Sequence, residues 1–428
     1  MKAAFSARNS IRPSMSAVEK HPGSSLSTKA GDADIMPKCT IVAKTFGATS
    51  EVWLYRQAVN MSRLRPQVIC WEQQNAEAYS LSDIPLVKLP YDAIPENGSG
   101  RWLRRLRNAP SGNYYGTLGS ERSDISSALR DHASDIIICH FGPIALRVLP
   151  VAVSLGIPLV AHFHGFDIST SLKNKWYRKS LQRSLSKFAA LVVVATYQRD
   201  ALIELGADPN KIHVIPCGSP IAGEVTNRED AGEVDGGCRF IFVGRFVEKK
   251  DPIATLRAFA SCRVQLPNVT LEMIGDGPLL NQCRETASEL QLGDSVQFLG
   301  SQTNEIVMQR LLAADVFVQH SITAANGDKE GWPVSIAEAM GYGLPVVSTR
   351  HAGIVDQVVE GQTGYLVDEG DWQEMAARMV EIATPAVRSR MGNASKERAT
   401  KFFDFHMQIA ELETLLTQYS ETKRNLAS

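Results

Sequence analysis

Short runs of apolar, largely β-branched residues recur along this chain, separated by stretches with helical periodicity. In the first half they are CTIVAKTF (39–46), PQVICW (66–71), SDIIICHF (134–141), IPLVAHFH (157–164), ALVVVAT (190–196) and KIHVIPCG (211–218). Several are apolar throughout rather than alternating, which fits parallel strands buried on both faces. Parallel neighbours need long crossovers, and helical patterns such as ALRVLPVAVSLG supply them, with Pro150 placed to bend that helix. A second series follows: CRFIFVG (238–244), VTLEMIG (269–275), VQFLG (296–300), ADVFVQHS (314–321) and PVVS (345–348), again interleaved with helical patterns. Two successive βαβα series, each the size of one doubly wound domain, predict an α/β protein of two lobes.

The lobes are expected at 38–218 and 238–400. The polar, Gly-rich, acidic segment SPIAGEVTNREDAGEVDGG (219–237) reads as the linker between them. A last helix over roughly 401–419 carries Phe402, Phe405, Ile409, Leu412 and Leu416 at helical spacing and should pack back on the first lobe, leaving 420–428 as a tail. Residues 1–37 are Ser-rich, hold scattered cations and have no apolar core of a secretory signal, so they read as a disordered N-terminal tail.

Composition narrows the function classes. Hydrophobic residues are 44% and charged residues 21%, ordinary for a globular protein, and a formal net charge of -1 argues against a nucleic-acid partner. With no run of 18 or more apolar residues, no membrane-spanning helix is predicted. Seven scattered cysteines without a C-x-x-C pair fit reduced thiols in a cytoplasmic protein. No His, Cys and Asp group has metal-ligand spacing, and Asp32-Ala33-Asp34 lies in the tail, so neither metal nor cofactor is expected.

The chemistry concentrates in EGWPVSIAEAMGYGLPVVST (330–349). Pro333 is suited to open a helix there, because its missing N–H would have had no intrahelical partner. Gly341 and Gly343 close that helix. A helix N-terminus attracts anions, and Glu330 and Glu338 flank this one. An anion site between two acids suits a ligand with a phosphate middle and hydroxyl-rich ends, the layout of a nucleotide-sugar. VGRFVEKKDP (243–252) places Arg245, Lys249 and Lys250 in a loop at the carboxyl end of a strand, where they would hold a diphosphate. IGDGPLL (274–280) adds Gly275 at another strand end.

On the other lobe, HFHGFD (162–167) ends a buried strand. There His164 would face the crevice and Asp167 could orient its imidazole, while His162 lies deeper on the same face. TFGATSEVWLY (45–55) brings Gly47, Ser50 and Glu51 to a loop overhanging the crevice, with helix capping by Ser50 and Glu51 in the first turn as a compatible structural role. RWLRRLR (101–107) is a basic amphipathic segment able to lie on an anionic membrane surface or to remain a solvated helix.

These motifs together resemble glycosyltransferase family 4, retaining enzymes of the GT-B fold, over roughly residues 39–418. The likeness is greatest to the branch that builds exopolysaccharides such as colanic acid and amylovoran. The resemblance implies two Rossmann-like domains facing across a cleft. It implies transfer of a sugar from a nucleotide-diphosphate sugar to a hydroxyl of a lipid-linked saccharide. In that pattern Glu330 contacts the donor sugar, Glu338 the ribose, and Arg245 and Lys250 the diphosphate; His164 sits beside the reacting sugar. Backbone groups near Gly331, Trp332, Pro333, Val334 and Ser335 approach the diphosphate. Gly244, Gly275, Phe298 and Gly300 complete the donor side, and Gly47, Ser50, Glu51 and Asp167 the acceptor side. Two departures stand out: many relatives have Gly-Gly where this chain has Gly47-Ala48, and Trp332 is bulkier than the residue common after Glu-Gly. An epimerase or phosphorylase of the same fold, or a non-catalytic bilobal sugar-binding module, are the rival readings. The expected location is the cytoplasm, with peripheral attachment to the membrane's inner face through 101–107.

Overall fold

The chain folds into two parallel sheets. The structure, a computed structural model, describes residues 36–48, 51–81, 83–90, 99–219 and 237–427. Ser50, the Asp32–Asp34 pair, the tail before residue 36 and the linker interior at 220–236 lie outside them. The first sheet comprises β1 (Lys38–Phe46), β2 (Arg65–Gln73), β3 (Leu86–Lys88), β4 (Ile136–His140), β5 (Leu159–Phe163), β6 (Ala190–Val193) and β7 (Ile212–Val214). Its spatial order is β3-β2-β1-β4-β5-β6-β7. The second comprises β8 (Arg239–Val243), β9 (Thr270–Ile274), β10 (Val296–Gly300), β11 (Val316–Val318), β12 (Val346–Thr349) and β13 (Gly364–Val367). Its order is β10-β9-β8-β11-β12-β13.

Among the described residues every strand pairing is parallel. In each sheet the first strand lies between the second and the fourth, so the strand order reverses there. That is where an open α/β sheet leaves a crevice at its carboxyl ends. The two-lobed Rossmann-like architecture expected from the apolar runs is therefore present. The three-residue edge strand β3 had too short an apolar run to be legible.

The central strands are buried on both faces. On one face Ile41, Val68, Val160 and Val192 meet Leu54 of the helix Val52–Asn60 and Leu412, Leu415 and Leu416 of the C-terminal helix. On the other, Val42, Ile137, Ala161 and Leu191 meet the helix Gly142–Leu155, which keeps Pro150 inside it.

The C-terminal element differs from its expected bounds. The helix Pro385–Phe402 ends at Phe403, and a separate helix Phe405–Ala427 continues through the residues assigned to a tail. Phe402 therefore belongs to the earlier helix and is exposed, while the later helix returns to the first lobe. Two crossings between lobes run side by side: the Ser219 N–H donates to the Phe403 carbonyl at 2.8 Å, and the Phe405 N–H donates to the Ser219 carbonyl at 3.1 Å. Glu413 anchors the returning helix. Its buried Oε1 accepts from the N–H groups of Ser62 (2.8 Å), Arg63 (2.7 Å) and Leu64 (3.2 Å).

Candidate active site

The C-terminal half of the site is built by loops leaving β8, β11, β12 and β13. Lys250 ends a short turn after β8 and is buried. Its ammonium lies 3.0 Å from Glu330 Oε1 and donates to Gln319 Oε1 at 3.1 Å. Gln319 in turn donates to Ser321 Oγ at 2.8 Å. Burial pulls the Lys250 pKa down, with Glu330 opposing. Burial likewise works against Glu330's ionisation, but Lys250 and Lys249 outweigh it and hold that carboxyl below the ordinary range. Their geometry is that of an ion pair, with a carboxylate held 3.0 Å from an ammonium in a buried setting. Arg245 is exposed and near enough to add to the field on Lys250.

The helix after Glu330 spans Val334–Gly341. Pro333 is its N-cap residue rather than its first helical residue, and no side chain caps it. Its leading N–H groups, those of Val334 and Ser335, are placed to meet an anion. One turn further, Glu338 is partly buried; burial raises its pKa and Arg56 of the other lobe opposes the rise. The Trp332 ring is buried in the core, edge-on to Phe403 at 5.2 Å.

Glycines set the approach of these loops. A Cβ on Gly275 (φ +135°) would lie 1.9 Å from the Gly244 carbonyl oxygen, and one on Gly244 would lie 2.8 Å from Lys250 Cδ. Both glycines thus let loop pack on loop around Lys250. The Gly275 N–H donates to the Gly300 carbonyl at 2.9 Å, and Phe298 packs on Phe246 at 6.2 Å between ring centroids.

Opposite lies a cluster of imidazoles. His140 and His162 are register partners at the ends of β4 and β5. His164 follows two residues later, and its Nε2 is 3.0 Å from His140 Nδ1. Cys217 Sγ lies 3.5 Å from His164 Nδ1, and Trp53 stacks on the His164 ring at 4.2 Å. Burial keeps all three histidines neutral: His140 and His164 titrate well below the usual range, His162 at about 3. Burial also lifts Cys217 to about 12. One nitrogen from each histidine falls within 4.8 Å of the others, an arrangement able to ligate a metal ion. Sequence spacing had hidden it, because β4 and β5 meet only in the sheet. A cavity of about 30 Å³ beside His162 and Trp53 reaches Gln57, Arg56 and Gln408.

Asp167 does not orient the His164 ring. Its buried carboxylate accepts from the backbone N–H groups of Gly142 (2.9 Å), His164 (3.0 Å) and Gly165 (3.0 Å). It therefore shapes the turn and caps the helix Gly142–Leu155, and His140 and Trp53 hold the ring. In the first loop, Glu51 is the N-cap residue of the helix Val52–Asn60 rather than part of its first turn, and makes no side-chain cap. Burial raises its pKa. Gly47 adopts φ +84°, where a Cβ would lie 2.1 Å from the Gln74 carbonyl oxygen.

The two halves touch. A Cβ on Gly331 would lie 2.0 Å from the His164 carbonyl oxygen, and one on Gly353 would lie 1.8 Å from the Gly331 carbonyl oxygen. Tyr197 Oη donates to the Glu330 carbonyl at 2.9 Å, and Thr196 binds Asp356 through both its N–H and its hydroxyl at 2.7 Å. So Glu330, Lys250 and His164 share one cleft, with Glu338 facing Arg56 across it. Sequence reasoning missed His140, Trp53, Arg56, Tyr197 and Gln319. Of these, His140 was within reach, since it ends a predicted strand on the carboxyl side.

Residues 67–221 match the family model described as Glycosyltransferase Family 4, and residues 225–398 match Glycosyl transferases group 1. The chain thus carries a Glycosyltransferase Family 4 domain in its first half and a Glycosyl transferases group 1 domain in its second. Its fold is GT-B, as in the Anabaena protein Alr3699/HepE, solved in complex with UDP and glucose. That structure superposes with a TM-score of 0.70 at 18% identity, over 89% of this chain and 100% of that one. Among curated glycosyltransferases it is 31% identical to the putative colanic acid biosynthesis glycosyltransferase WcaL of Salmonella typhimurium, over 58% of this chain and 62% of that protein. It is also 31% identical to the amylovoran biosynthesis glycosyltransferase AmsK of Erwinia amylovora, over 60% of this chain and 64% of the relative. The match therefore spans less than two thirds of either relative's own length.

Proposed function

We propose that this protein transfers a sugar, with retention of configuration, from a nucleotide-diphosphate sugar to a hydroxyl of a lipid-linked saccharide during exopolysaccharide synthesis. The observation that carries the reading is the Lys250–Glu330 ion pair, set at the mouth of an uncapped helix and facing His164 across the cleft. A diphosphate entering there meets Lys250, Arg245 and the leading N–H groups of the helix Val334–Gly341. Glu330 faces the sugar and Glu338 the ribose. Asp167, the carboxylate in the His164 turn, is committed to backbone N–H groups rather than free to act as a nucleophile. A front-face route fits this donor set: the departing diphosphate takes the acceptor's proton, and the two cations stabilise its growing charge. That reading assigns charge neutralisation to side chains and requires no metal.

The proposed saccharide acceptor is supported by relatives whose names place them in colanic acid and amylovoran biosynthesis. Attachment to an anionic membrane from the cytoplasmic side fits the helix Ser99–Asn108. Its Leu103 and Leu106 are half exposed, and its Arg105 sits 5.1 Å over Trp176 of the equally basic helix Lys175–Ser184.

A thermal-shift screen against UDP-, GDP- and ADP-sugars, followed by transfer assays, tests the reading, since a ligand binding only the folded state raises its stability. One donor class should stabilise the protein and be turned over, and Lys250→Ala should lower kcat by about 10²-fold, the scale of losing one oxyanion donor. No stabilisation by any donor, or full activity of the variant, would overturn it. Sedimentation with liposomes, with and without anionic lipid, tests the membrane contact.

A further inference from the structure

The backbone of Glu330 is held by a side chain that no part of the proposed transfer uses. The Glu330 N–H donates to His351 Nε2 at 3.1 Å. On the far side of that ring, His351 Nδ1 lies 2.6 Å from Glu369 Oε1. The other oxygen of Glu369 accepts from the Thr323 N–H at 2.7 Å. His351 is 1% exposed, just past the end of β12, and Glu369 follows β13 at the rim. Because Nε2 faces a peptide N–H, it must be the acceptor, and the ring proton belongs on Nδ1, donated to Glu369.

We propose that Glu369 and His351 form a positioning dyad that fixes the Glu330–Gly331 peptide, and with it the carboxylate that meets the donor sugar. The dyad ties together the ends of three neighbouring strands. Thr323 lies on the loop after β11, His351 follows β12 and Glu369 follows β13. From the other lobe, Tyr197 binds the Glu330 carbonyl, so the residue is held by its N–H, its carbonyl and its carboxylate. The inference rests on the proposed role of Glu330 at the sugar. A small rotation of this peptide would turn the carboxylate away from Lys250 and move Gly331 against His164.

A single substitution separates positioning from packing. The Glu369 carboxylate accepts two N–H donors, whereas a glutamine has one acceptor oxygen. Glu369→Gln must therefore give up either the Thr323 loop or the Nδ1–H tautomer of His351, with little change in volume at a partly exposed position. In the full chain, ¹⁵N correlation spectra of the histidine rings should show His351 as the neutral Nδ1–H tautomer, and Glu369→Gln should disturb that signature. The same variant should lower kcat for sugar transfer by about 10²-fold, the effect of misplacing a reacting group by an ångström. Affinity for UDP or GDP alone should be unchanged. His351→Gln, which keeps one acceptor and one donor, should retain more activity than His351→Ala. An Nε2–H or cationic His351 in the wild type at neutral pH, wild-type kcat in Glu369→Gln, or equal losses in the two His351 variants would overturn the dyad. Absence of transfer by the wild type would instead overturn the proposed function, and the tautomer would still decide the dyad.

Discussion

At the scale of residues, the cleft sorts its carboxylates by environment. Glu330 is kept ionised by Lys250 and Lys249 against burial, whereas Glu338 is pushed the other way by burial, with Arg56 as the opposing charge. This leads to a pH prediction. Arg56→Ala removes a cation that lowers the Glu338 pKa, so that carboxyl should ionise only at higher pH. If the ionised form accepts the ribose hydroxyls, the acid limb of donor binding should move up in pH. Calorimetric titration of donor across pH checks it, and superimposable profiles would remove Arg56 from the site. His164 adds no limb near neutrality, because burial and its two imidazole neighbours keep it uncharged there. Glu330 and Glu338 were legible in the sequence because a turn and one helix separate them. Asp167 was misread because spacing alone does not say whether a carboxylate three residues from a histidine reaches its ring or its backbone. In a tight turn with Gly165 at φ +128°, the N–H groups converge on the carboxylate first.

At the scale of elements, loops at strand ends do the positioning and helices lock them. Gly331 shows how little room remains. Gly331→Ala puts a methyl 2.0 Å from the His164 carbonyl oxygen, so the lobes must part locally. Transfer should fall by about 10²-fold, as expected when reacting groups separate by an ångström. Steady-state kinetics beside an unchanged far-UV spectrum would show it. The returning helix has its own anchor in Glu413. Glu413→Ala leaves the N–H groups of Ser62, Arg63 and Leu64 without their carboxylate, and should lower unfolding stability by about 2 kcal/mol, the range for hydrogen bonds to a charged group. Denaturant titration measures it, and a midpoint equal to wild type would contradict the anchoring. The break at Phe403 was not visible in the pattern, since Phe402, Phe405, Ile409 and Leu412 keep helical spacing straight through it. What ends the first helix there is the pairing of the two crossings, Ser219 beside Asp404.

For the whole molecule, the buried imidazoles couple stability to pH. His140, His162 and His164 are neutral when folded and carry pKa values depressed from 6.5. Between 6.5 and the folded values, about 3 for His162, the unfolded chain binds protons that the folded chain does not. Stability from this source is therefore fully present above 6.5 and declines as pH falls through that window, with a slope of at most about 1.4 kcal/mol per pH unit for each group. The melting temperature should drop between pH 7 and pH 5, and His162→Gln should show a shallower drop. An equal drop in both would place the acid sensitivity elsewhere.

By itself the sequence determined the two-sheet plan and the turn and helix that carry Glu330 and Glu338, because both are written locally. Short, uniformly apolar, β-branched runs fit parallel strands in a covered sheet, and Glu330, Pro333 and Glu338 share one turn and one helix. The tertiary structure alone decided the histidine cluster, the facing of Arg56 and Glu338, and the chain of bonds from Glu369 through His351 to Glu330. Those partners come from different strands and lobes, and which strand end faces which is settled by sheet order and domain packing, not by distance along the chain.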